Sequence, residues 1–345
     1  MRSSSKLTRR TESMTEEMRN NDGVSFKHVL DIDSFTRSDI ELVLENTSAM
    51  EEVLNRNIKK VPALRGKTIV TLFYEPSTRT RVSFEQAGKI LSADVINVTD
   101  STSSSSKGES LYNTVLTIQA MKADIIVIRH HHSGAPHFLA RNLKSHVINA
   151  GDGAHAHPTQ SLLDLYTIKK RLGSIDGKKV TIIGDLLYSR VARSNLWGLT
   201  KMGARVVLCG PQTLIPNDFL NGHRKQEGHP FASVEIESSV EKALDGADVV
   251  MALRLQRERQ QAGHLPSLRE YSQSYGINSQ RLKLANKNAL LMHPGPMNEG
   301  VEIEPDVAHG NQSVIEDQVT GGVAVRMSLL YTLAAGSDNE ILPRP

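Results

Sequence analysis

Eight short runs rich in valine and isoleucine recur along the chain, and this recurrence restricts the fold more than any other feature. Each run is bounded by turn residues and is separated from the next by a longer amphipathic stretch. Apolar strands that alternate with helices indicate parallel sheets covered on both faces, so the predicted fold class is α/β. The predicted strands are 67–74, 93–98, 123–128, 146–150, 178–184, 204–210, 247–253 and 288–293.

A helix is predicted over 158–173, between the fourth and fifth strands. Pro158 suits the first helical position, apolar side chains recur at helical spacing from Leu162, and Gly173 ends the helix. A chain of 345 residues is longer than a single domain with one hydrophobic core usually is. We therefore expect two domains, each with a four-stranded parallel sheet, on either side of this helix. The last apolar stretch has helical periodicity and is predicted to dock back onto one domain.

Composition excludes several classes of function. Aromatic residues make up 4% of the chain and the net charge is +3, so neither base stacking nor a basic face for nucleic acid is expected. The single cysteine, Cys209, precludes an intramolecular disulfide and fits a reducing compartment. No apolar run approaches the ~20 residues that cross a bilayer. We expect a cytoplasmic protein with no nucleic-acid or membrane partner.

Residues 1–23 are polar and aperiodic, and are predicted to be a disordered tail. An organellar transit peptide is the alternative interpretation, because the first ten residues contain no acidic side chain. Glu12, Glu16 and Glu17 follow soon after, which favours the tail.

Polar side chains follow the predicted strands at their carboxyl ends, where open α/β sheets bind ligands. Four arginines stand there and no evident nucleophile does. The pattern therefore predicts an anionic small-molecule substrate between two domains. The side chains in question are Ser77, Thr78, Arg79 and Thr80, then Arg129, His157, Gln160, Arg190, Arg254 and Gln256, and the segment 293–296.

The run from Ser77 to Arg81 places three hydroxyls and two arginines at the start of a predicted helix. A helix N-terminus alone contributes about 0.3–1 kcal/mol to anion binding, so a phosphate dianion needs the arginine forks as well. The alternative interpretation is a helix cap with solvated arginines. The chain contains no P-loop, and the segment 184–190 has one glycine where a dinucleotide fingerprint needs three.

Histidines near the predicted cleft allow two interpretations. His157 could stabilise negative charge on a carbonyl oxygen, or could simply cap the linking helix. The run 130–132, with His155 nearby, suggests a metal at first sight. Adjacent side chains on an extended segment point in opposite directions, so we expect no metal site there. The serine-rich segment 103–108 is typical of a mobile linker.

The combination of motifs resembles the aspartate/ornithine carbamoyltransferase family, and its aspartate branch in particular. The resemblance runs from about Phe26 to the end of the chain. The chain departs from the common family pattern at two positions. His131 stands where the family commonly has proline, and Glu299 stands where related chains often have arginine. The motifs are STRTR (77–81), RH (129–130), HPTQ (157–160), GDLLYSR (184–190), RLQRER (254–259) and HPGP (293–296).

The family resemblance implies a carbamoyltransferase fold with two domains joined by interdomain helices. After the tail, it implies a carbamoyl phosphate-binding domain at 24–157, the linking helix at 158–173 and an aspartate-binding domain at 174–318. It further implies that 319–345 forms a C-terminal helix that returns to the first domain.

The resemblance also implies a role for each matching side chain. Arg79, Thr80, Arg129, His157 and Lys107 would be catalytic, and Glu75 with Arg190 and Arg259 would pair on domain closure. The phosphate of carbamoyl phosphate would be bound by Ser77, Thr78, Arg79 and Thr80, and its carbonyl oxygen by Arg129, Thr80 and His157. Gln160 would lie near the carbamoyl nitrogen, and Pro294 and Gly295 would contact the carbamoyl group. Arg190, Arg254 and Gln256 would bind aspartate, while Ser103 and Lys107 would enter the site of a neighbouring subunit.

The implied reaction transfers a carbamoyl group from carbamoyl phosphate to L-aspartate, in the de novo synthesis of UMP, without a cofactor. The implied assembly is a homotrimer with shared active sites, to which regulatory chains or dihydroorotase could bind. Ornithine carbamoyltransferase is one alternative, although that branch carries an HCLP turn instead of HPGP. A non-catalytic homologue acting as a structural partner is the other.

Overall fold

The computed structural model describes residues 25–99, 110–220, 231–256 and 267–338. In this part of the chain, strands and helices alternate and form two parallel sheets, which confirms the predicted α/β class. None of the helices among these residues has both the length and the apolar character that crossing a lipid bilayer would require.

The first sheet contains four of the predicted strands, all paired in parallel. They are β1 (Thr68–Phe73), β2 (Asp94–Thr99), β3 (Ile125–His130) and β4 (His146–Asp152), in the order β2-β1-β3-β4. The two central strands are almost wholly buried, as expected for a sheet with helices on both faces. The helices of this half are α1 (Arg37–Leu54), α2 (Thr78–Ile90), α3 (Leu111–Ala120) and α4 (Ala135–Asn142).

The second sheet has five strands, so the prediction of four was wrong. The missed strand is Glu235–Glu237, which is only three residues long and pairs at the edge of the sheet. An edge strand with charged ends lacks the apolar run from which the other strands were predicted. The strands are β5 (Lys179–Ile183), β6 (Arg205–Cys209), β7 (Glu235–Glu237), β8 (Val249–Ala252) and β9 (Leu290–Met292), in the order β7-β6-β5-β8-β9.

Helix α5 (Pro158–Leu172) connects the two sheets, and Gly173 follows it with a φ of +78°. It packs against α6 (Arg190–Lys201), the first helix of the second half. Gly198 of α6 lies so close to α5 that an added Cβ would be 2.7 Å from Ser161 Oγ. The other described α-helices of this half are α7 (Asn217–Leu220), α8 (Val240–Leu244), α9 (Leu268–Tyr275), α10 (Ser279–Leu282) and α11 (Pro305–Ala308).

The last helix, α12 (Ile315–Asp338), begins four residues before the expected position 319. It packs on α1, α2 and α5, and Ala324, Val325 and Leu329 are fully buried there. Helix α12 thus crosses from the second sheet to the helices of the first. Residues 339–345, like the predicted tail at 1–23, lie outside the described residues.

Candidate active site

A cavity of about 590 Å³ lies between the carboxyl ends of the two sheets. Its described walls include five arginines and one carboxylate, Glu75, so the cavity has a strong excess of positive charge. Ser103, Lys107 and Arg259 lie outside the described residues. The other predicted site residues all line the cavity, namely Glu75, Ser77, Thr78, Arg79, Thr80, Arg129, His157, Gln160, Arg190, Arg254, Gln256, Pro294 and Gly295.

Helix α2 presents its N-terminus to the cavity without a side-chain cap. Ser77 occupies the N-cap position, yet its hydroxyl makes no capping bond to the helix backbone. Instead, Ser77 Oγ donates to Thr80 Oγ1 at 3.0 Å. The first N–H groups of the helix therefore remain available to an anion, as the N-terminus of a helix allows.

Arg79 crosses from α2 to the turn that follows β9. Its Nη2 donates to the carbonyl oxygen of Pro294 at 3.3 Å. Gly295 has a φ of +60°, and a Cβ added there would lie 2.2 Å from Arg79 Nη1. The turn also contains a cis peptide bond between Gly295 and Pro296. A glycine is required at this point both for the backbone conformation and for the approach of the guanidinium group.

Glu75 joins the two halves of the cavity through ion pairs to two arginines. Arg129 Nη2 lies 2.5 Å from Glu75 Oε1, and Arg190 Nη2 lies 2.6 Å from the same oxygen. Arg129 also donates to Ala150 O at 3.2 Å, and Arg190 to Gly153 O at 3.1 Å. The family resemblance implied that Glu75 pairs with Arg190 and Arg259, so the pairing with Arg129 is an addition to that expectation.

His157 is buried at the start of α5, with 5% of its surface exposed. Its side chain makes no capping bond, while its backbone N–H donates to Ser194 Oγ at 2.9 Å. Burial, and then the positive charges of Arg190 and Arg129, hold the pKa of His157 well below its usual 6.5. The imidazole is therefore neutral at neutral pH and can donate one hydrogen bond to a developing oxyanion.

Side chains from the second sheet form the opposite wall. The backbone N–H of Gln256 donates to Asp185 Oδ2 at 3.2 Å, and its side-chain Nε2 donates to Arg254 O at 3.4 Å. Asp185 is fully buried at the end of β5 and also accepts a bond from Tyr188 N. These contacts fix the segment after β8, which places Arg254 and Gln256 at the cavity.

Arg326 is a cavity residue that the sequence analysis missed. It lies in the middle of α12, is 5% exposed, and lines the cavity beside the other arginines. Burial, and then the charge of Arg79, lower its pKa to about 10. Its Nη1 donates to Gly322 O at 2.7 Å, and its guanidinium lies over the ring of Phe84. The available signal was that Arg326 is the single charged residue in 321–336.

The histidines considered as metal ligands do not converge on the cavity. The rings of His130 and His131 stack, the ring of His132 is tilted against His131, and His130 Nδ1 accepts from His132 N at 3.0 Å. A different group, His137, Asp152 and His155, has ligand atoms within 4.8 Å of one another. The carboxylate of Asp152 already accepts bonds from three loop groups, Gly134 N, Asn149 Nδ2 and Ala156 N.

Comparison with family models gives two matches that together cover most of the chain. Residues 27–170 match the carbamoyl phosphate-binding domain of aspartate/ornithine carbamoyltransferases. Residues 176–333 match the aspartate/ornithine-binding domain of the same family.

Curated relatives and solved structures agree with these matches. The aspartate carbamoyltransferase catalytic subunit of Dehalococcoides mccartyi is 54% identical over 95% of this chain and 96% of that protein. The subunit of the same name from a Roseiflexus species is 58% identical over 89% of this chain and 95% of that protein.

Among solved structures, aspartate transcarbamoylase from Trypanosoma cruzi, in complex with carbamoyl aspartate and phosphate, gives a TM-score of 0.81. It is 30% identical to this chain and the match covers 90% and 96% of the two chains. Ornithine carbamoyltransferase from Pyrococcus furiosus gives a TM-score of 0.78 at 27% identity, with 89% and 97% covered.

Proposed function

The chain belongs to the aspartate/ornithine carbamoyltransferase family, and we propose that it transfers the carbamoyl group of carbamoyl phosphate to L-aspartate. The products would be N-carbamoyl-L-aspartate and phosphate, which is a step of pyrimidine synthesis. One observation supports this above the others. Among the residues that the structure describes, five arginines and one carboxylate line a cavity between the two sheets, which suits a small substrate pair with several negative charges.

The phosphate of carbamoyl phosphate would bind at the uncapped N-terminus of α2. The helix supplies N–H donors, Ser77, Thr78 and Thr80 supply hydroxyls, and Arg79 supplies a planar fork. Arg326 would add a buried positive charge behind Arg79, which favours the dianion further.

Aspartate would bind against the second sheet, through Arg190, Arg254 and Gln256. Two guanidinium groups and an amide suit two carboxylates, since arginine binds a carboxylate with two parallel hydrogen bonds. Ornithine offers only one carboxylate and a positively charged side chain. The same residues therefore favour the aspartate reaction over the ornithine alternative.

In the reaction, the uncharged α-amine of aspartate attacks the carbamoyl carbon and a C–N bond forms. The carbonyl oxygen becomes an oxyanion, which Thr80, Arg129 and the neutral His157 would stabilise. The C–O bond to phosphate then breaks, and the departing phosphate takes a proton from the amine. Arg129 would have to exchange its ion pair with Glu75 for the substrate oxygen before this step.

Roles outside the described residues complete the proposal. Ser103 and Lys107 would reach the active site of a neighbouring subunit, so the working unit would be a homotrimer in the cytoplasm. Arg259 would join Glu75 and Arg190 when the domains close. Regulatory chains or dihydroorotase are further partners that the family allows. No step of the proposed chemistry uses a cofactor.

The test is a colorimetric assay for carbamoylated product with carbamoyl phosphate and either L-aspartate or L-ornithine. We expect carbamoyl aspartate and no citrulline. Citrulline formation would identify the ornithine branch, and no product from either amino acid would favour a non-catalytic homologue. A crystal structure with N-(phosphonacetyl)-L-aspartate, the ligand of another Trypanosoma cruzi complex, would test the assigned contacts.

A further inference from the structure

Asp164 is a fully buried carboxylate that contacts three side-chain amides. Gln160 Nε2 donates to its Oδ1 at 3.0 Å, and Gln318 Nε2 donates to the same oxygen at 2.7 Å. Asn195 Nδ2 donates to its Oδ2 at 2.7 Å. The three amides come from α5, α12 and α6, so one carboxylate joins three helices around the cavity.

An ionised carboxylate accepts hydrogen bonds and cannot donate them. Burial raises the pKa of Asp164 to about 6, so the group is still ionised at neutral pH. All three amides must therefore turn their NH₂ groups towards it. For Gln160, which lines the cavity, this leaves Oε1 as the atom that the cavity can use. None of the residues that the structure describes donates a hydrogen bond to that oxygen.

Gln318, the second amide, links Asp164 to the turn after β9. With its NH₂ group on Asp164, Gln318 uses Oε1 to accept a bond from His293 N at 3.0 Å. His293 directly precedes Pro294, whose carbonyl oxygen lies on the cavity wall next to Arg79. Gln160 was assigned to the carbamoyl nitrogen and the Pro294 turn to the carbamoyl group, and both are held through Asp164.

We propose that Asp164 is a positioning residue that makes the carbamoyl-nitrogen pocket an acceptor of hydrogen bonds. By fixing Gln160 Oε1 towards the cavity, it selects a substrate with an –NH₂ group over one with a methyl group of similar size. Carbamoyl phosphate has such an –NH₂ group, whereas acetyl phosphate has the methyl group. This inference rests on the proposed function for the identity of the substrate.

Two ligands that differ only at this group provide the test. Phosphonoacetamide carries –NH₂ where 2-oxopropylphosphonate carries –CH₃, and both keep the phosphonate. Calorimetry gives the ratio of their dissociation constants without requiring turnover, so the result is separate from the carbamoylation assay. We expect wild type to prefer the amide, and Asp164→Ala to lower this preference about 3- to 10-fold, the range of one neutral hydrogen bond.

The same substitution made in a Gln160→Ala protein separates a positioning role from a general disturbance of the structure. In a Gln160→Ala protein, the further change Asp164→Ala should leave the ratio unchanged, because the amide through which Asp164 acts is gone. Asp164→Asn should keep the preference within about 2-fold, because Asn195 has a buried Oδ1 without a partner and can turn to accept from the new amide.

Three results would overturn the proposal. The first is that wild type binds the two ligands equally well. The second is that Asp164→Ala loses affinity for both ligands to the same extent. The third is that Asp164→Ala lowers the ratio of dissociation constants by the same factor in a Gln160→Ala protein. Should Asp164→Ala fail to fold, Asp164→Ser gives the same comparison in wild type and in the Gln160→Ala protein, because a serine hydroxyl is too short to reach the Gln160 amide.

Discussion

His157 is enclosed by protein and surrounded by arginines, and its pKa lies well below 6.5 for that reason. A neutral imidazole can donate to the oxyanion throughout the range of about pH 6 to 8, so its titration should not appear in the pH profile of kcat there. Removing one such donor typically costs about 10²- to 10³-fold in turnover. We expect His157→Ala to lower kcat by this amount, as measured with saturating substrates.

His131 provides the control for that experiment, since it is exposed and does not line the cavity. His131→Ala should keep kcat close to that of wild type. Near-normal turnover of His157→Ala would refute the assigned role, and an inflection near pH 6.5 that disappears in His157→Ala would contradict the neutral state.

Asp164 gives a second prediction, on stability. Its folded-state pKa is raised from 3.8 to about 6 by burial. A raised pKa means that the folded protein binds the proton more tightly than the unfolded chain does, so the protonated carboxyl contributes to the free energy of unfolding at low pH. This contribution is lost as the pH rises from about 4 through 6. Asparagine does not titrate. Relative to wild type, Asp164→Asn should therefore gain stability between about pH 4 and 7, by at most about 3 kcal/mol.

Melting temperatures of the two proteins across this range would measure the effect. We expect the difference between Asp164→Asn and wild type to move in favour of the variant as the pH rises. A difference that stays constant would show that the carboxyl titrates alike in the folded and unfolded states.

Single residues were predictable where a motif follows a strand. The positions of Arg79, His157 and Arg254 come directly from strand ends and parallel topology. Arg326 and Asp164 lie inside helices with apolar neighbours, and no local rule tells which partners such side chains meet. Their contacts depend on how α12 packs against α5, which is a tertiary property that a single sequence does not display.

At the scale of elements, the turn after β9 contacts the other half of the cavity through Arg79. An alanine Cβ at 295 would overlap Arg79 Nη1 and would also have to adopt a φ of +60°. We expect Gly295→Ala to displace the guanidinium and to raise the KM for carbamoyl phosphate about 10-fold or more, which corresponds to roughly 1.4 kcal/mol. Steady-state kinetics at saturating aspartate would measure it.

Gly300→Ala is a matched control for the backbone part of this effect. Gly300 has a φ of +80°, and a Cβ added there meets nothing within 4 Å. That variant should lose stability to a similar extent but keep its KM. If both variants change KM equally, the contact with Arg79 is not the cause.

Strands with apolar runs were predicted to within two residues at each end, since buried parallel strands show in sequence as runs rich in valine and isoleucine. The edge strand Glu235–Glu237 was missed because exposure removes that signal. The start of α12 was placed too late because its first residues after Ile315, Glu316 to Gln318, are polar and precede the apolar stretch. Burial therefore governs which elements a sequence displays.

At the scale of the whole molecule, the cavity exists only because both sheets face it with their carboxyl ends. Glu75 follows a strand of the first sheet and Arg190 begins a helix of the second, and their ion pair spans the gap. The family resemblance implied the pairing of Glu75 with Arg190, but not the additional pairing with Arg129. That additional pairing lies within the first sheet, where Glu75 follows β1 and Arg129 lies near the end of the adjacent strand β3. It depends on side-chain conformations at these strand ends, which the sequence does not specify.

The proposed trimer with shared active sites leads to the last prediction. Arg79 would act in the site of its own chain, and Lys107 would act in the site of a neighbour. Chains with Arg79→Ala and chains with Lys107→Ala should each be nearly inactive alone. In a trimer that contains both kinds, one site combines an intact Arg79 with an intact Lys107 from the next chain. Random reassortment of equal amounts should then restore about a quarter of the wild-type sites.

The measurement is the specific activity after the two variants have been dissociated together and reassembled, compared with the same variants reassembled separately and then mixed. Only the jointly reassembled sample should recover activity, since the separately assembled trimers contain no intact site. Equal activity in both samples would mean that each chain completes its own site. The positive cavity between the two sheets would then be sufficient for the reaction without a neighbouring subunit.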